Sequence, residues 1–439
     1  MTEVAVALFT RDLRVRDNPV LTAAHREAAT VAPLFVLDDA ILSRRPCPPN
    51  RAHFLAAALR ELDDELREIG GRLIVRTGDV AEQVAQVAAA ADAAVVHIAA
   101  DVSAYSRERE GRLRARLARD GRALRVHGAS LTVVEPGELL PSGRDHFAVF
   151  TPYFRRWTDA RRRTPLRAPR HLDVPEIPFG SLPKPAALGT GDPSPALSVG
   201  GETTARKVLR DWLSHAAAEY ATAGDDLAAD ATSRLSPYLH FGCLSPTEVV
   251  HRAGDSSEGG AAFVRQLAWR DFHHQVLAAR PDAAWADYRD RGIRWRTDPD
   301  GVAAWCEGRT GLPIVDAGMR QLREQGWMHN RARLITASFL TKSLRVDWRT
   351  GARHFSYWLV DADLANNQLN WQWVAGTGND TRPNRVLNPL RQADRYDPDG
   401  DYVRRWVPEL AGIDGRGIHR PWRAGGADYP APILEFPGM

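Results

Sequence analysis

The chain has 439 residues, 44% of them hydrophobic and 26% charged, with a formal net charge of +3. At roughly 100–200 residues per domain this is two or three globular domains with sizeable cores, and so small a net charge permits a basic patch without establishing nucleic-acid binding. The three cysteines (Cys47, Cys243, Cys306) are too few and too far apart for a structural zinc site, a four-cysteine iron–sulfur cluster or a disulfide framework, which implies a reducing, cytoplasmic setting and no metal.

Val4–Phe9 is a short apolar run broken by Arg11 and Asp12, which reads as a buried strand and not as a signal peptide. Ala32–Leu37 is a second strand, ending at Asp38-Asp39, and Arg51–Ile69 is an amphipathic helix. Arg72–Val75, Ala94–Ile98 and Leu124–Val126 complete an alternation of strands and helices, which predicts a parallel, Rossmann-like sheet covered by helices. No GxGxxG follows the first strand, so a dinucleotide-type phosphate loop is not supported. Ligands of such sheets sit at the carboxyl ends of the strands, which here carry Arg11-Asp12, Asp38-Asp39 and Asp101.

The stretch 160–200 is rich in Pro, Arg and Gly and reads as a linker on the surface. Beyond it the strand pattern vanishes. The predicted organisation is an α/β domain at 1–135, a linker at 136–200 and an all-helical domain at 201–439. No stretch approaches the ~20 apolar residues of a membrane span. None of the 13 tryptophans precedes Trp157, and 11 lie between Trp269 and Trp422. A helical core accounts for most of them, but tryptophan is also the side chain most readily oxidised by one electron and a good platform for a base.

Residues 263–279 form one predicted helix. Val264, Ala268, Phe272 and Val276 make its apolar stripe, and Gln266, Trp269, Arg270 and His273 make an opposite, solvent-facing side able to stack a base and hold a phosphate. A second helix, ~327–343, places Trp327, Asn330, Arg331 and Leu334 on one face, with Trp373 lining the same pocket. Arg382, Arg385, Gln392 and Arg395 follow on a predicted loop, either as phosphate contacts or as a solvated basic surface. Thr232, Ser233 and Ser236 put small hydroxyls at a helix start, either as a cap or as a phosphate site. Asp361 and Asp363 flank Ala362, either as a cap pair or as carboxylates awaiting donors.

Nine segments run in order: Phe-Thr-Arg-Asp-Leu-Arg-Val-Arg-Asp-Asn (9–18), Thr-Ser-Arg-Leu-Ser-Pro (232–237), Trp-Arg-Asp-Phe (269–272), Trp-Cys-Glu-Gly-Arg-Thr-Gly-Leu-Pro-Ile-Val-Asp-Ala-Gly-Met-Arg-Gln (305–321), Trp-Met-His-Asn-Arg (327–331), Asp-Trp-Arg (347–349), Asp-Ala-Asp-Leu-Ala-Asn-Asn (361–367), Asn-Trp-Gln-Trp-Val-Ala-Gly-Thr-Gly (370–378) and Arg-Pro-Asn-Arg-Val-Leu-Asn-Pro (382–389). Their order and spacing resemble the photolyase/cryptochrome family in its class I branch, across essentially the whole chain. The resemblance implies an antenna-binding α/β domain and a helical domain that holds a folded FAD.

It further implies that Tyr220, Thr232, Ser233, Arg234, Leu235, Ser236, Arg270, Asn330, Arg333, Asp361, Ala362, Asp363 and Asn367 contact the FAD. Arg333 would pair with Asp361, and Asn367 would face the flavin N5. Trp371, Trp348 and Trp305 match the family's electron chain, which ends at solvent. Gln266, Trp269, Arg270, His273, Asn330, Arg331, Leu334, Trp373 and Gln392 would meet UV-damaged DNA. Phe35, Arg51 and Asp101 fall where an antenna binds, 8-hydroxy-5-deazaflavin being favoured over methenyltetrahydrofolate.

The implied reaction is repair of cyclobutane pyrimidine dimers by an electron from excited FADH⁻, performed by a monomer without a membrane. Two departures bear on substrate: Gln266 stands where many dimer photolyases have Glu, and Leu334 where they have Met. A (6-4) photolyase carries Gln at the first position but a His-His pair where this chain has His329-Asn330. A cryptochrome-type light receptor is the remaining alternative, and the chain lacks the long tail typical of one.

Overall fold

The computed structural model describes residues 2–43, 47–254, 257–379, 381–424 and 428–436. Five strands, β1 (Thr2–Phe9), β2 (Ala28–Asp38), β3 (Ile74–Gly78), β4 (Val95–Ala99) and β5 (Ala123–His127), form one sheet in the order β3-β2-β1-β4-β5. Every pairing is parallel, with Phe9 opposite Phe35 and Leu34 opposite Ile74. Strands covered on both faces need no alternation, which is why β1 reads as an unbroken apolar run. Val6, Leu8, Leu34, Ile74, Val96 and Ile98 pack against Val84, Leu113 and Leu117 of the covering helices.

β3 starts at Ile74, two residues later than the expected Arg72. The Leu73 N–H is taken by the Asp63 carboxylate of the preceding helix (2.8 Å), so the chain is still tied to that helix when it reaches the sheet. The predicted linker is more than a surface wrap. Asp173 bridges to Thr30, Val75 N donates to Phe179 O (2.7 Å), and Ile177 and Phe179 pack on the sheet core.

By compactness the chain forms two units. The first comprises 1–192, 199–215 and 233–281, and the second 193–198, 216–232 and 282–439. The helix Glu258–Ala279 groups with the sheet because its buried Asp271 accepts from Val133 N (2.9 Å), Val134 N (3.0 Å) and Trp157 Nε1 (3.0 Å). Such bonds are invisible in helical periodicity.

The second unit, among its described residues, has helices and no strands. Trp305, Met319, Phe339, Trp348, Phe355, Trp371 and Tyr402 fill its core. The helix predicted at ~327–343 begins at Asn330, with His329 capping it through Nδ1 and Arg331 N (3.1 Å). It ends in a π-helical turn, Phe339–Ser343, that aims the Lys342 ammonium at Ala375 O (2.8 Å) and Pro383 O (2.6 Å). No helix among the described residues is long and apolar enough to cross a membrane.

Candidate flavin and substrate site

Asp361 and Asp363 divide the two roles left open by sequence. Asp363 is the N-cap of the helix Leu364–Ala375, accepting from Asn366 N (2.9 Å) and Asn366 Nδ2 (2.7 Å). Asp361 caps nothing. Its Oδ2 accepts from Arg333 Nη2 (2.8 Å), while its buried Oδ1 has no partner. A buried carboxylate oxygen without a donor is costly, and a ligand N–H would relieve that cost. Arg333 is held in turn by its Nε on Met328 O (2.8 Å). Ala362 between the two carboxylates is buried.

Asn367, one turn into that helix, donates from Nδ2 to Ala352 O (3.1 Å) and Ser356 Oγ (3.0 Å), which leaves its carboxamide oxygen to accept. Thr232 Oγ1 is buried without a partner, a second vacant polar atom in this unit. Tyr220 opens a one-turn helix, Tyr220–Ala223, and is half-buried; burial, then Asp225, pushes its phenol up to about 12. His329 is buried and driven down to about 4, mainly by desolvation, and its Nε2 has no partner.

Three predicted electron carriers share this unit. The Trp371 ring lies 6.1 Å from Trp305 and 4.9 Å from Phe355, centroid to centroid. Only glycine fits at position 351, since a Cβ there would overlap the Trp371 ring. Trp348 donates its Nε1–H to Asp287 Oδ1 (2.8 Å). Trp305 is 0% exposed and donates to Thr336 O (3.0 Å), so it is not the solvent end of a chain. Trp295, half-buried against the same core, is the residue the sequence reading passed over. Burial separates the two, and burial is not written in motif spacing.

In the first unit, the helix Glu258–Ala279 does not present the open polar face expected of it. Gln266 is exposed, but Arg270 and His273 are buried. Arg270 donates to Leu131 O and to Leu239 O (3.4 Å). Trp269 stacks on Phe150 at 3.7 Å and 8°, so one face of its ring is already covered. Ser233 Oγ accepts from Leu235 N (3.4 Å), Arg234 takes a positive φ of 51°, and Ser236 begins a helix of six residues.

In the second unit, Asn330 is exposed, Leu334 packs half-buried on the core, and Arg331 pairs with Asp225 (2.5 Å) while lying 4.4 Å over the Tyr396 ring. Arg385 lies 5.7 Å over Trp373. Gln392 and Arg395 sit on a helix, Pro389–Tyr396, where a loop was expected; Asn388 caps it through Arg391 N (3.1 Å).

A family profile described as the FAD binding domain of DNA photolyase matches residues 263–438, and one described as DNA photolyase matches 5–171. The chain is 58% identical to the deoxyribodipyrimidine photo-lyase of Streptomyces griseus, covering 99% of this chain and 96% of that one. The chain belongs to the DNA photolyase family. Among solved structures, a class III photolyase from Agrobacterium tumefaciens superposes with a TM-score of 0.92 at 34% identity (99% and 95% covered). A Synechocystis cryptochrome gives 0.91 at 30% (99% and 96%). The photolyase fold is therefore a five-stranded parallel sheet domain followed by a helical FAD-binding domain.

The donor set fits the photolyase flavin. Asp361 Oδ1 and Thr232 Oγ1 are buried atoms with unmet hydrogen bonds, and Arg333 already orients the carboxylate. The photolyase sheet has its own polar cluster in the first unit. Burial alone would raise Asp101, but the Arg11 and Arg109 guanidiniums and His274 hold it below the usual carboxylate range. Ser106 Oγ (3.0 Å) and Val102 N (2.7 Å) also bond it. Phe35 is buried in β2, and Arg51, its Nε without a partner, is pushed down by burial.

Proposed function

We propose that this chain is a deoxyribodipyrimidine photo-lyase, an enzyme that uses light to split cyclobutane pyrimidine dimers in DNA, acting as a cytoplasmic monomer. The observation that carries the proposal is full-length identity of 58% to an enzyme of that name. Bound FAD, fully reduced and excited by light, supplies the electron that opens the cyclobutane ring and takes it back.

The protein's part is placement and electrostatics. In the second unit Asp361, held by Arg333, would accept an N–H of the flavin ring edge, Thr232 would donate to phosphate, and the Asn367 carboxamide oxygen would be open to N5–H. Tyr220, Asn330 and Ala362 line the cofactor in the same proposal. Ser233, Arg234, Leu235, Ser236 and Arg270 are further proposed FAD contacts, Arg270 through the stem that its carbonyl contacts hold in place. Trp371 and Trp348 carry electrons during photoreduction.

Gln266, Trp269, His273, Arg331, Leu334, Trp373 and Gln392 are the proposed contacts of the flipped-out lesion. Phe35, Arg51 and Asp101 hold an antenna, 8-hydroxy-5-deazaflavin. The functional domains of this reading are 1–135, 136–200 and 201–439.

The test is illumination of the reduced, flavin-loaded protein with oligonucleotides carrying either lesion. Light-dependent restoration of thymines from the cyclobutane dimer, and none from the (6-4) product, is expected. Repair of the (6-4) product alone, or of neither, overturns the assignment.

A further inference from the structure

The tryptophans of the second unit differ in what their indole N–H groups meet. Trp305 bonds a neutral backbone carbonyl, Thr336 O (3.0 Å), whereas Trp348 bonds a carboxylate, Asp287 Oδ1 (2.8 Å). Trp348 is 0% exposed, so little water screens that contact, and the Asp287 side chain is 17% exposed. Arg349 opposes it. Its guanidinium lies 4.7 Å over the Trp348 ring and bonds Asp287 Oδ1 (2.8 Å). The same guanidinium is shared with Asp347 (3.1 Å), the N-cap of the helix Trp348–Trp358, and its Nε is tied to Trp285 O (2.7 Å). Arg349 is thus shared between two carboxylates, so it neutralises Asp287 only in part, and Asp287 is the carboxylate bonded to the buried indole.

An indole that loses an electron becomes a cation with a strongly polarised N–H, and a fixed carboxylate on that N–H stabilises the cation far more than the neutral ring. Trp371 has different surroundings: Phe355 at 4.9 Å, Trp305 at 6.1 Å and the Cα of Gly351 against its ring.

We infer that Asp287 is a positioning residue for photoreduction, making Trp348 the low-energy station at which the positive hole rests. The inference rests on the tryptophan-chain reading given above. Trp371 is oxidised first, by electron transfer to the light-excited flavin. One electron then passes from the Trp348 indole to the Trp371 cation, so Trp371 returns to neutral and Trp348 becomes the cation. No covalent bond breaks; the proton stays on Nε1, shared with the carboxylate. An electron from an external thiol, arriving through a surface donor, finally fills the hole. By stabilising the Trp348 cation, Asp287 suppresses return of the hole to Trp371 and lengthens charge separation.

The test uses flavin-loaded protein with an external thiol: wild type, Asp287→Asn, Asp287→Glu and Trp371→Phe. Transient visible absorption reads the surviving tryptophan radical, steady illumination reads the photoreduction rate, and the flavin-to-protein absorbance ratio reads cofactor content. Asp287→Asn should lower radical yield and photoreduction by about tenfold or more at unchanged flavin content, the factor that a hydrogen bond to a charged group carries. Asp287→Glu, which keeps the charge, should recover most of both.

If Asp287→Asn matches wild type while Trp371→Phe gives no radical, the role of Asp287 is wrong and the chain stands. If Asn and Glu impair equally, the contact is merely structural and the inference fails. Normal photoreduction in Trp371→Phe removes the chain itself and this inference with it.

Discussion

Two buried aspartates of the second unit are treated in opposite ways. Asp316, 0% exposed, receives Thr310 N (2.8 Å) and Thr310 Oγ1 (2.6 Å) on one oxygen, and Gly311 N (3.1 Å) with the Tyr429 hydroxyl on the other. Asp361 receives one guanidinium on one oxygen and nothing on the other. A carboxylate that the fold satisfies completely is scaffold. Asp361, left half satisfied, keeps an acceptor open to a ligand, and binding would recover its cost.

The contrast breaks most visibly at Asp316. Asp316→Ala strands two N–H groups and two hydroxyls in a dry interior, at about 1–3 kcal/mol for each group that water cannot reach. A loss of about 3–5 kcal/mol is expected in denaturant unfolding, with flavin affinity falling only as far as the fold does. Asp361→Asn should do the reverse. It removes the charge that faces Arg333 and, in the proposed site, the flavin, so flavin dissociation should rise by about tenfold or more, near 2 kcal/mol, while the apoprotein midpoint barely moves. Equal loss of stability in both variants would erase the distinction between the two sites.

Protonation sharpens the comparison next. His329 and His354 are both driven down to about 4, in each case chiefly by burial. For His329 the carboxylates Asp225 and Asp230 favour the charged ring and Arg331 and Arg333 oppose it, so desolvation decides. The unfolded chain binds these protons near pH 6.5 and the native protein does not until about pH 4. The contribution of neutral burial is therefore complete above pH 6.5 and declines as pH falls towards 4, by about 1.4 kcal/mol per pH unit per histidine. Unfolding free energies at pH 7 and pH 5 give the proton uptake directly, and His354→Gln should reduce that slope by about one proton. A pH-independent stability across this window would mean that these rings are charged in the native state.

Much of this architecture was legible from the residues. Strand β1 was readable because a strand buried on both faces needs only an apolar run, and a cap was one of two readings of Asp363 because a side chain that bonds three residues ahead is local chemistry. Arg270 and Trp305 were not. Arg270 was read as a solvent-facing cation, but its acceptor Leu131 O lies 139 residues away in sequence. Trp305 was read as the end of a chain, although only three-dimensional packing reveals that it is 0% exposed and that Trp295 is the half-buried one. What sequence spacing cannot carry is which polar groups the fold has already satisfied, and that property separates Asp316 from Asp361.

The smallest expected effect is the finest test of that separation. Tyr429 is the last donor to reach Asp316, and burial, then Asp316, pushes its phenol up. Tyr429→Phe keeps the ring, which packs on the core beside Leu434 and Phe436, and removes one hydrogen bond of four. Because Thr310 and Gly311 still serve the carboxylate, the cost should be that of a single bond, about 1 kcal/mol, read as a small shift in midpoint with an unchanged denaturant slope. A loss as large as that of Asp316→Ala would mean that the hydroxyl holds the 428–436 segment in place, and that the satisfaction of Asp316 is a consequence of that docking.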